Sequence, residues 1–395
     1  MIAQILTYDH FTVLLYCGLV LFSTFFAAIS QTTRWSDTGE WHCETRKVPY
    51  ILSFCLLAFF ACTTSVGADR ISYTNFFLNS TMSNLATGIE PGFQLMMSIF
   101  RTMTSNAALF LGVVSFLTVF NVYKGLWYFR ETISLGFAIF VFSSQYYLQS
   151  YNLMRIYFAI SILILFAHFI AEEKYFKYFL VLCFACCFHY SIIFVCIAYI
   201  LAMMLKRLKD GNMSLRVVLL MILVVILCIA LGRYAVVLLS FSSTLSSKYS
   251  AYTSNMYSAK YGLKWLANTI PYLTAIALAK YSKYKKQFLN ITLCYMLVVV
   301  AVSLLNYSIP VVGRAVNCLN MPIIVFLSLG LNEARQYCKL NNTNRIAIHL
   351  SKYTILVPIG LVKNILYLFF LYMFVLYLYE YIPSDQIDNF SFFWN

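Results

Sequence analysis

Apolar residues run along this chain in about twelve blocks, separated by short polar connections. The blocks fall near 11–29, 49–66, 106–123, 132–147, 156–170, 175–188, 190–205, 217–240, 265–279, 287–306, 315–332 and 353–379. At about 1.5 Å of rise per residue, most can cross a hydrocarbon core of about 30 Å as helices. The sixth and seventh share residues 175–205, which fits two tilted half-length helices or a re-entrant pair. Two connections keep a helical period of their own. In 71–85, Tyr73, Phe76, Phe77 and Leu85 recur among Asn, Ser and Thr; in 245–265, Tyr249, Tyr252, Met256, Tyr257 and Tyr261 share one face, and Trp265 follows. Such segments lie in a membrane interface, as an ordinary aromatic belt or as a lid or platform over a ligand. The pattern predicts an all-α polytopic membrane protein: one transmembrane domain over 1–395, about 12 transmembrane helices, and amphipathic outer-face loops near 67–93 and 241–264.

Composition agrees with this. Of 395 residues, 62% are hydrophobic and 11% charged, against roughly 25% charged in soluble domains. A soluble fold could not hide that much apolar surface. The formal charge of +14 would suggest nucleic acid in a soluble protein. Here Lys and Arg concentrate in alternate loops, where they set topology, so nucleic acid is not an expected partner and the lipid bilayer is. One set of loops holds 19 Lys and Arg, from Arg34 to Lys352, and the other holds 7. The richer set is expected in the cytoplasm, which places both termini outside. No basic n-region precedes the first block, so no cleavable signal peptide is expected. The 12 cysteines lie mostly inside apolar runs and show no disulfide or metal pattern; the Cys183, Cys186, Cys187 group reads as small buried hydrophobes.

The few outer charges carry the candidate chemistry. Arg155, Arg233 and Arg314 stand at or near the outer ends of blocks. An arginine at helix depth costs about 2.5–3.5 kcal/mol on insertion scales, so each calls for an internal partner or a water-filled cavity. The guanidinium fork also suits phosphate oxygens. His189, in Phe188-His189-Tyr190-Ser191, sits at the outer turn between the two short helices, level with Arg155; it is either structural or a base for a hydroxyl. His42, His168 and His349 fall toward the other side. Asp69 follows Val66-Gly67-Ala68, and Glu90 precedes Pro91-Gly92-Phe93. Glycine at 67 and 92 permits tight turns that would hold each carboxylate against the bundle, although solvated loop acids fit equally.

The order of these pieces resembles the EpsG/Wzy-type polysaccharide polymerase family. Gly67-x-Asp69 with Tyr73 is similar to the family's Gly-x-Asp-x-x-x-Tyr stretch. Glu90-Pro91-Gly92-Phe93 is similar to its Glu-x-Gly-Phe stretch. Arg155, followed some thirty residues on by Phe188-His189-Tyr190-Ser191, resembles its central Arg…Phe-His-x-Ser region, and Arg314 its late arginine. One departure is Ile156, where the family often has Gln. The resemblance covers about residues 60–330.

The resemblance implies a GT-C-like plan and a metal-independent membrane glycosyltransferase that needs no cofactor, at the periplasmic face of the bacterial inner membrane. Its substrates would be undecaprenyl-pyrophosphate-linked oligosaccharides, joined into O-antigen, capsular or exopolysaccharide, with a chain-length regulator as an optional partner. Arg155, Arg314 and Arg233 would bind the pyrophosphate leaving group, with Tyr73 also substrate-binding. His189 would be the general base, with Asp69 or Glu90 as the alternative base or as the group that orients it. Three rivals stay open. A lipid-linked glycan flippase or other transporter needs polar groups along a path across the bilayer, for which Lys363 inside the last block is the main support. A membrane acyltransferase would pair a histidine with Asp or Asn, and His189 has no carboxylate adjacent in sequence. The third rival is a non-catalytic scaffold.

Overall fold

A computed structural model describes residues 9–35, 41–79, 89–207, 264–279, 281, 285–306, 313–320, 322–350, 353–380, 386, 387 and 390–393. The block near 217–240 with Arg233, and the aromatic segment of 245–263, lie outside these residues. The described chain is built from helices with two short hairpins. Among the described residues, six helical stretches are long and apolar enough to cross a membrane, with shorter apolar helices besides them. Large apolar side chains such as Phe11, Leu14, Leu21, Leu361, Ile365 and Leu368 point outward. In water such faces would be unfavourable by roughly 25 cal/mol per Å² of apolar surface; against lipid they are not. The protein is an all-α polytopic membrane protein.

By internal contacts the chain divides into two compact units. The first contains residues 1–168, 187–189 and 328–395. It begins with α1 (His10–Ile29), whose start Asp9 caps by accepting from the Thr12 amide at 2.8 Å. A hairpin, β1 (Gln31–Trp35) with β2 (Trp41–Thr45), pairs Gln31 with Thr45 and leads into α2 (Lys47–Thr63). Next come α3 (Arg70–Asn79), α4 (Pro91–Met103) and α5 (Ala107–Tyr128). A broken segment follows: α6 (Leu135–Phe142), a π-helical turn (Ser143–Tyr147) and α7 (Gln149–Asn152). It ends against α8 (Met154–Leu165), which is buried along almost its whole length and packs mainly on α5.

Several buried polar groups of this unit are paired with one another, as an apolar surrounding favours. Tyr50 donates to Tyr123 O at 2.8 Å, Ser53 to Ser23 O at 2.7 Å, and Asn121 to Ser161 Oγ at 3.1 Å. The tail returns to the start of the chain: Tyr16 donates to Ile387 O, the Phe390 amide to Thr12 Oγ1, and the Ser65 amide to Ser391 O. Residues 12 and 390 therefore share one end of the unit.

The second unit, residues 169–186 and 190–327, holds α10 (Tyr175–Cys186), α11 (Ile192–Arg207), α12 (Lys264–Ala279), α13 (Lys285–Leu305) and α14 (Gly313–Asn320). The one-turn α9 (His168–Ala171) precedes them at the boundary. Helix α13 is central and packs on α11, α12 and α14. Tyr272 of α12 reaches Leu319 O of α14.

Three blocks read from hydropathy differ in detail. The block at 132–147 is not one helix. Ser144 Oγ donates to Phe140 O at 2.6 Å, inside the turn where the helix widens to π. Hydroxyls that bond back to the preceding turn bend helices, and π-turns recur at functional sites. The block at 315–332 is divided: α14 ends before Pro322, whose missing N–H and ring forbid helix continuation, and α15 (Ile323–Leu340) starts anew. The last block loses its beginning. Residues Tyr353–Pro358 form β4, paired with β3 (Arg345–Leu350), and α16 runs Ile359–Glu380. The β-branched Thr354, Ile355 and Val357 favour a strand as well as apolar character, and mean hydropathy cannot separate the two. Lys363 is therefore the fifth residue of its helix, near the membrane boundary, where a lysine snorkels cheaply. That removes the main support for a polar path across the bilayer.

Candidate functional site

Glycine chemistry builds one end of the first unit. Gly67 adopts φ 127°, a left-handed conformation that L side chains rarely take, and a Cβ there would stand 2.8 Å from Tyr151 O. Only glycine lets the turn after α2 lie directly on the end of α7. The Asp69 amide donates to Asn152 Oδ1 at 2.8 Å, and the Tyr73 amide donates to Asp69 O, so α3 starts from an anchored turn. Gly92 has a matching task. Its amide donates to Cys187 O at 2.7 Å, and a Cβ would lie 2.8 Å from that same oxygen. The 187–189 stretch can thus sit on the first turn of α4.

Glu90 precedes this turn, with Pro91 at the position where a helix tolerates it best. The Glu90 carboxylate makes no capping bond to its own helix. It joins two side chains from distant parts of the sequence. One oxygen pairs with Arg155 Nη1, at the start of α8; the other stands 2.8 Å from His189 Nδ1. All three are secluded, with side-chain exposures of 6% for Glu90, 12% for His189 and 17% for Arg155. The His189 contact is a close approach without hydrogen-bond alignment, and both ring nitrogens are buried with no aligned partner among the described residues. Arg155 Nε is likewise buried without one. Arg155 Cζ lies 5.6 Å from the centre of the Tyr73 ring, a cation–π distance. Tyr73 is buried against Phe93, and Phe188 meets Phe158 edge-on at 5.1 Å. Aromatic packing therefore fixes the residues next to each charged member.

Electrostatics follow from this arrangement. Burial opposes the ionised form of Glu90 most strongly, but His189 and Arg155 together outweigh it, and its carboxyl sits below the ordinary value. Burial raises the Tyr73 hydroxyl, against the pull of Arg155. Arg70 is buried too, with Nη2 lacking a hydrogen-bond partner among the described residues, and desolvation lowers it to about 10.

The residues gathered here, Gly67, Asp69, Tyr73, Glu90, Gly92, Phe93, Arg155, Phe188 and His189, are those on which the resemblance to a polymerase family rests. A model of the EpsG family matches residues 47–394. The chain belongs to the EpsG family. Membership supports a role of the polysaccharide-polymerase type, with glycosyltransferase-like chemistry. Nothing among curated proteins or solved structures matches.

For this EpsG-family chain the structure brings together Glu90, His189, Arg155 and Tyr73. Asp69 is placed beside them, half-buried and anchored by Asn152, and makes no ion pair with the cluster among the described residues. Glu90 is not a solvated loop acid; it is 4% exposed. Arg155 has the internal partner that its depth demands. Arg314 is the second residue of α14 in the other unit, and its side chain lies outside the described residues, as does all of Arg233. Sequence reasoning passed over Asn152 and the buried Arg70. Asn152 carried one usable signal, a polar side chain three residues before Arg155 at the junction of two helices.

Proposed function

We propose that this EpsG-family protein joins oligosaccharide repeat units carried on undecaprenyl pyrophosphate, at the outer face of the bacterial inner membrane. The observation that carries the reading is the Glu90 carboxylate held between His189 and Arg155, all three within family-like motifs. In this scheme a hydroxyl of the incoming lipid-linked unit attacks the anomeric carbon of the growing chain. The new C–O bond forms as the bond to pyrophosphate breaks, and the carrier lipid leaves with the electron pair on its phosphate oxygen. His189 takes the hydroxyl proton.

The geometry favours His189 over Glu90 as base. A carboxylate whose pKa is lowered by a cation and an imidazole is a weak proton acceptor. The same carboxylate suits the task of orienting an imidazole and balancing its charge once protonated. Arg155 spends Nη1 on Glu90, and in this scheme the remaining donors of its fork serve pyrophosphate oxygens. Negative charge grows on those oxygens as the bond breaks, so preorganised cations stabilise the transition state most. Arg314 and Arg233 are assigned the same task, Tyr73 lines the site beside Arg155, and Asp69 is the alternative base. Cations at the leaving group do here what a divalent metal does elsewhere.

The test supplies purified protein in lipid with lipid-linked repeat units and follows product length. A ladder of lengthened products from wild type, lost in His189→Ala and Arg155→Ala while both variants remain folded in the membrane, supports the reading. Transbilayer movement of unmodified units without a ladder would select the flippase. A normal ladder from both variants would remove the roles assigned to the cluster.

A further inference from the structure

The opposite end of the first unit carries a second set of charges with no part in this chemistry. On α15, Asn332, Arg335, Gln336 and Lys339 recur at spacings of three, one and three, which puts them on one face. On α16, Lys363 and Tyr367 are one turn apart, with Lys363 Nζ 5.5 Å from the ring centre. Both faces line one cavity of about 240 Å³, together with the end of α1, β2 and the start of α6. Gln31 holds the cavity rim: its amide nitrogen donates to Arg130 O and Ile133 O, and its oxygen accepts from the Leu135 amide at 2.7 Å.

Three cationic side chains, Arg335, Lys339 and Lys363, line this hollow. Arg335 stands within electrostatic range of both Lys339 and Lys363. Neither Arg335 nor Lys363 has a carboxylate within ion-pair distance among the described residues. The nearby Glu131 is paired with Arg130 at 3.0 Å. Ser134 and Gly136, at the N-terminal end of α6, line the same space, so the positive end of a helix adds to the field. Like charges crowd a cavity at a cost that an anion relieves, and the guanidinium fork with two ammonium groups matches the oxygens of a phosphate. The Lys/Arg bias assigns this end to the cytoplasm, where basic pockets between membrane helices take anionic headgroups.

We propose that the Arg335–Lys339–Lys363 cavity is a binding site for a phosphate group, separate from the Glu90 cluster. The phosphate belongs to an anionic phospholipid headgroup or to a soluble phosphate. The two sources are distinguished with the full chain in phosphatidylcholine nanodiscs, with and without phosphatidylglycerol, and with inorganic phosphate added to the lipid-neutral discs. Melting temperature and lipids retained in native mass spectrometry are read. If phosphatidylglycerol raises the melting temperature and is retained, the headgroup is the ligand; if inorganic phosphate does so, the soluble anion is. In either case Lys363→Gln and Arg335→Gln each weaken the response about tenfold, the loss of one charge-assisted contact. Lys363→Arg keeps it, and Lys124→Gln, an exposed lysine at the same end of α5, leaves it unchanged. No response of wild type to either probe overturns the site, and that arm needs no variant to fold. A response that Lys124→Gln weakens as much as Lys363→Gln also overturns it, as general surface attraction.

Discussion

The two ends of the first unit treat their cations in opposite ways. At one end Arg155 is matched by Glu90 and a tyrosine face, and the carboxylate also reaches His189. At the other, Arg335, Lys339 and Lys363 share a cavity, and neither Arg335 nor Lys363 has a carboxylate partner among the described residues. One helix joins the two ends, since α2 runs from Lys47, just after β2, to Thr63 before the Gly67 turn. The difference teaches that cation count alone says little. A compensated arginine is preorganised, and its remaining donors can be spent on a charge that develops during reaction. Like charges that share a cavity store repulsion that a bound anion relieves.

The comparison breaks most readily at Glu90. Glu90→Gln leaves Arg155 buried without an anion; breaking such a pair costs about 3–5 kcal/mol. Thermal unfolding in lipid should show that loss, and product ladders should vanish with it. An unchanged melting temperature would mean that Arg155 does not depend on its partner. His189→Ala sharpens the division of labour within the cluster. Removing a general base lowers rates by about 10²–10⁴-fold, while melting should change far less than in Glu90→Gln. Equal losses of stability in the two variants would make His189 structural.

Gly92→Ala tests whether the site depends on the close seat of residues 187–189. The added methyl meets Cys187 O at 2.8 Å, and overpacking of this kind costs about 1–3 kcal/mol. Polymer yield should fall although no charged group is touched. A wild-type yield and melting temperature would show that this stretch can move without consequence.

pH separates the two ends further. The folded Glu90 carboxyl lies below its ordinary value of 4.5. Its contribution to stability is therefore fully present above that value and is lost as pH falls through the lowered one. Melting curves of wild type and Glu90→Gln should stay separated at neutral pH and converge only below about 4.5. Convergence already near neutral pH would mean that Glu90 does not set the dependence. The smallest effect is expected at the cationic end. In phosphatidylcholine, Lys363→Gln removes one like charge at a half-exposed position and should stabilise the protein by a few tenths of a kcal/mol to about 1 kcal/mol. A loss of several degrees would mean that Lys363 has a compensating partner.

Much of the molecule is legible in one dimension. Apolar block length predicts helices such as α1, α5 and α13 within a few residues, because lipid imposes a length and a polarity on any segment that crosses it. The same average fails where two structures suit one composition. Residues 353–358 are apolar enough for a span, but their β-branched side chains and the pairing with β3 make a strand. That shift moved Lys363 from the depth of a helix to its beginning.

Chain order alone therefore determined the membrane class, the predominantly helical architecture and the motif positions of Asp69, Tyr73, Glu90, Arg155 and His189. It could do so because hydropathy and residue type are properties of position along the chain. Only the tertiary structure decided that Glu90 bridges Arg155 and His189, that Asp69 instead abuts Asn152, and that Arg335 and Lys363 share a hollow. Glu90 and His189 are 99 residues apart, and ion pairs depend on distance in space, which local pattern does not encode. Two glycines close that gap by letting backbone lie where a side chain would otherwise stand.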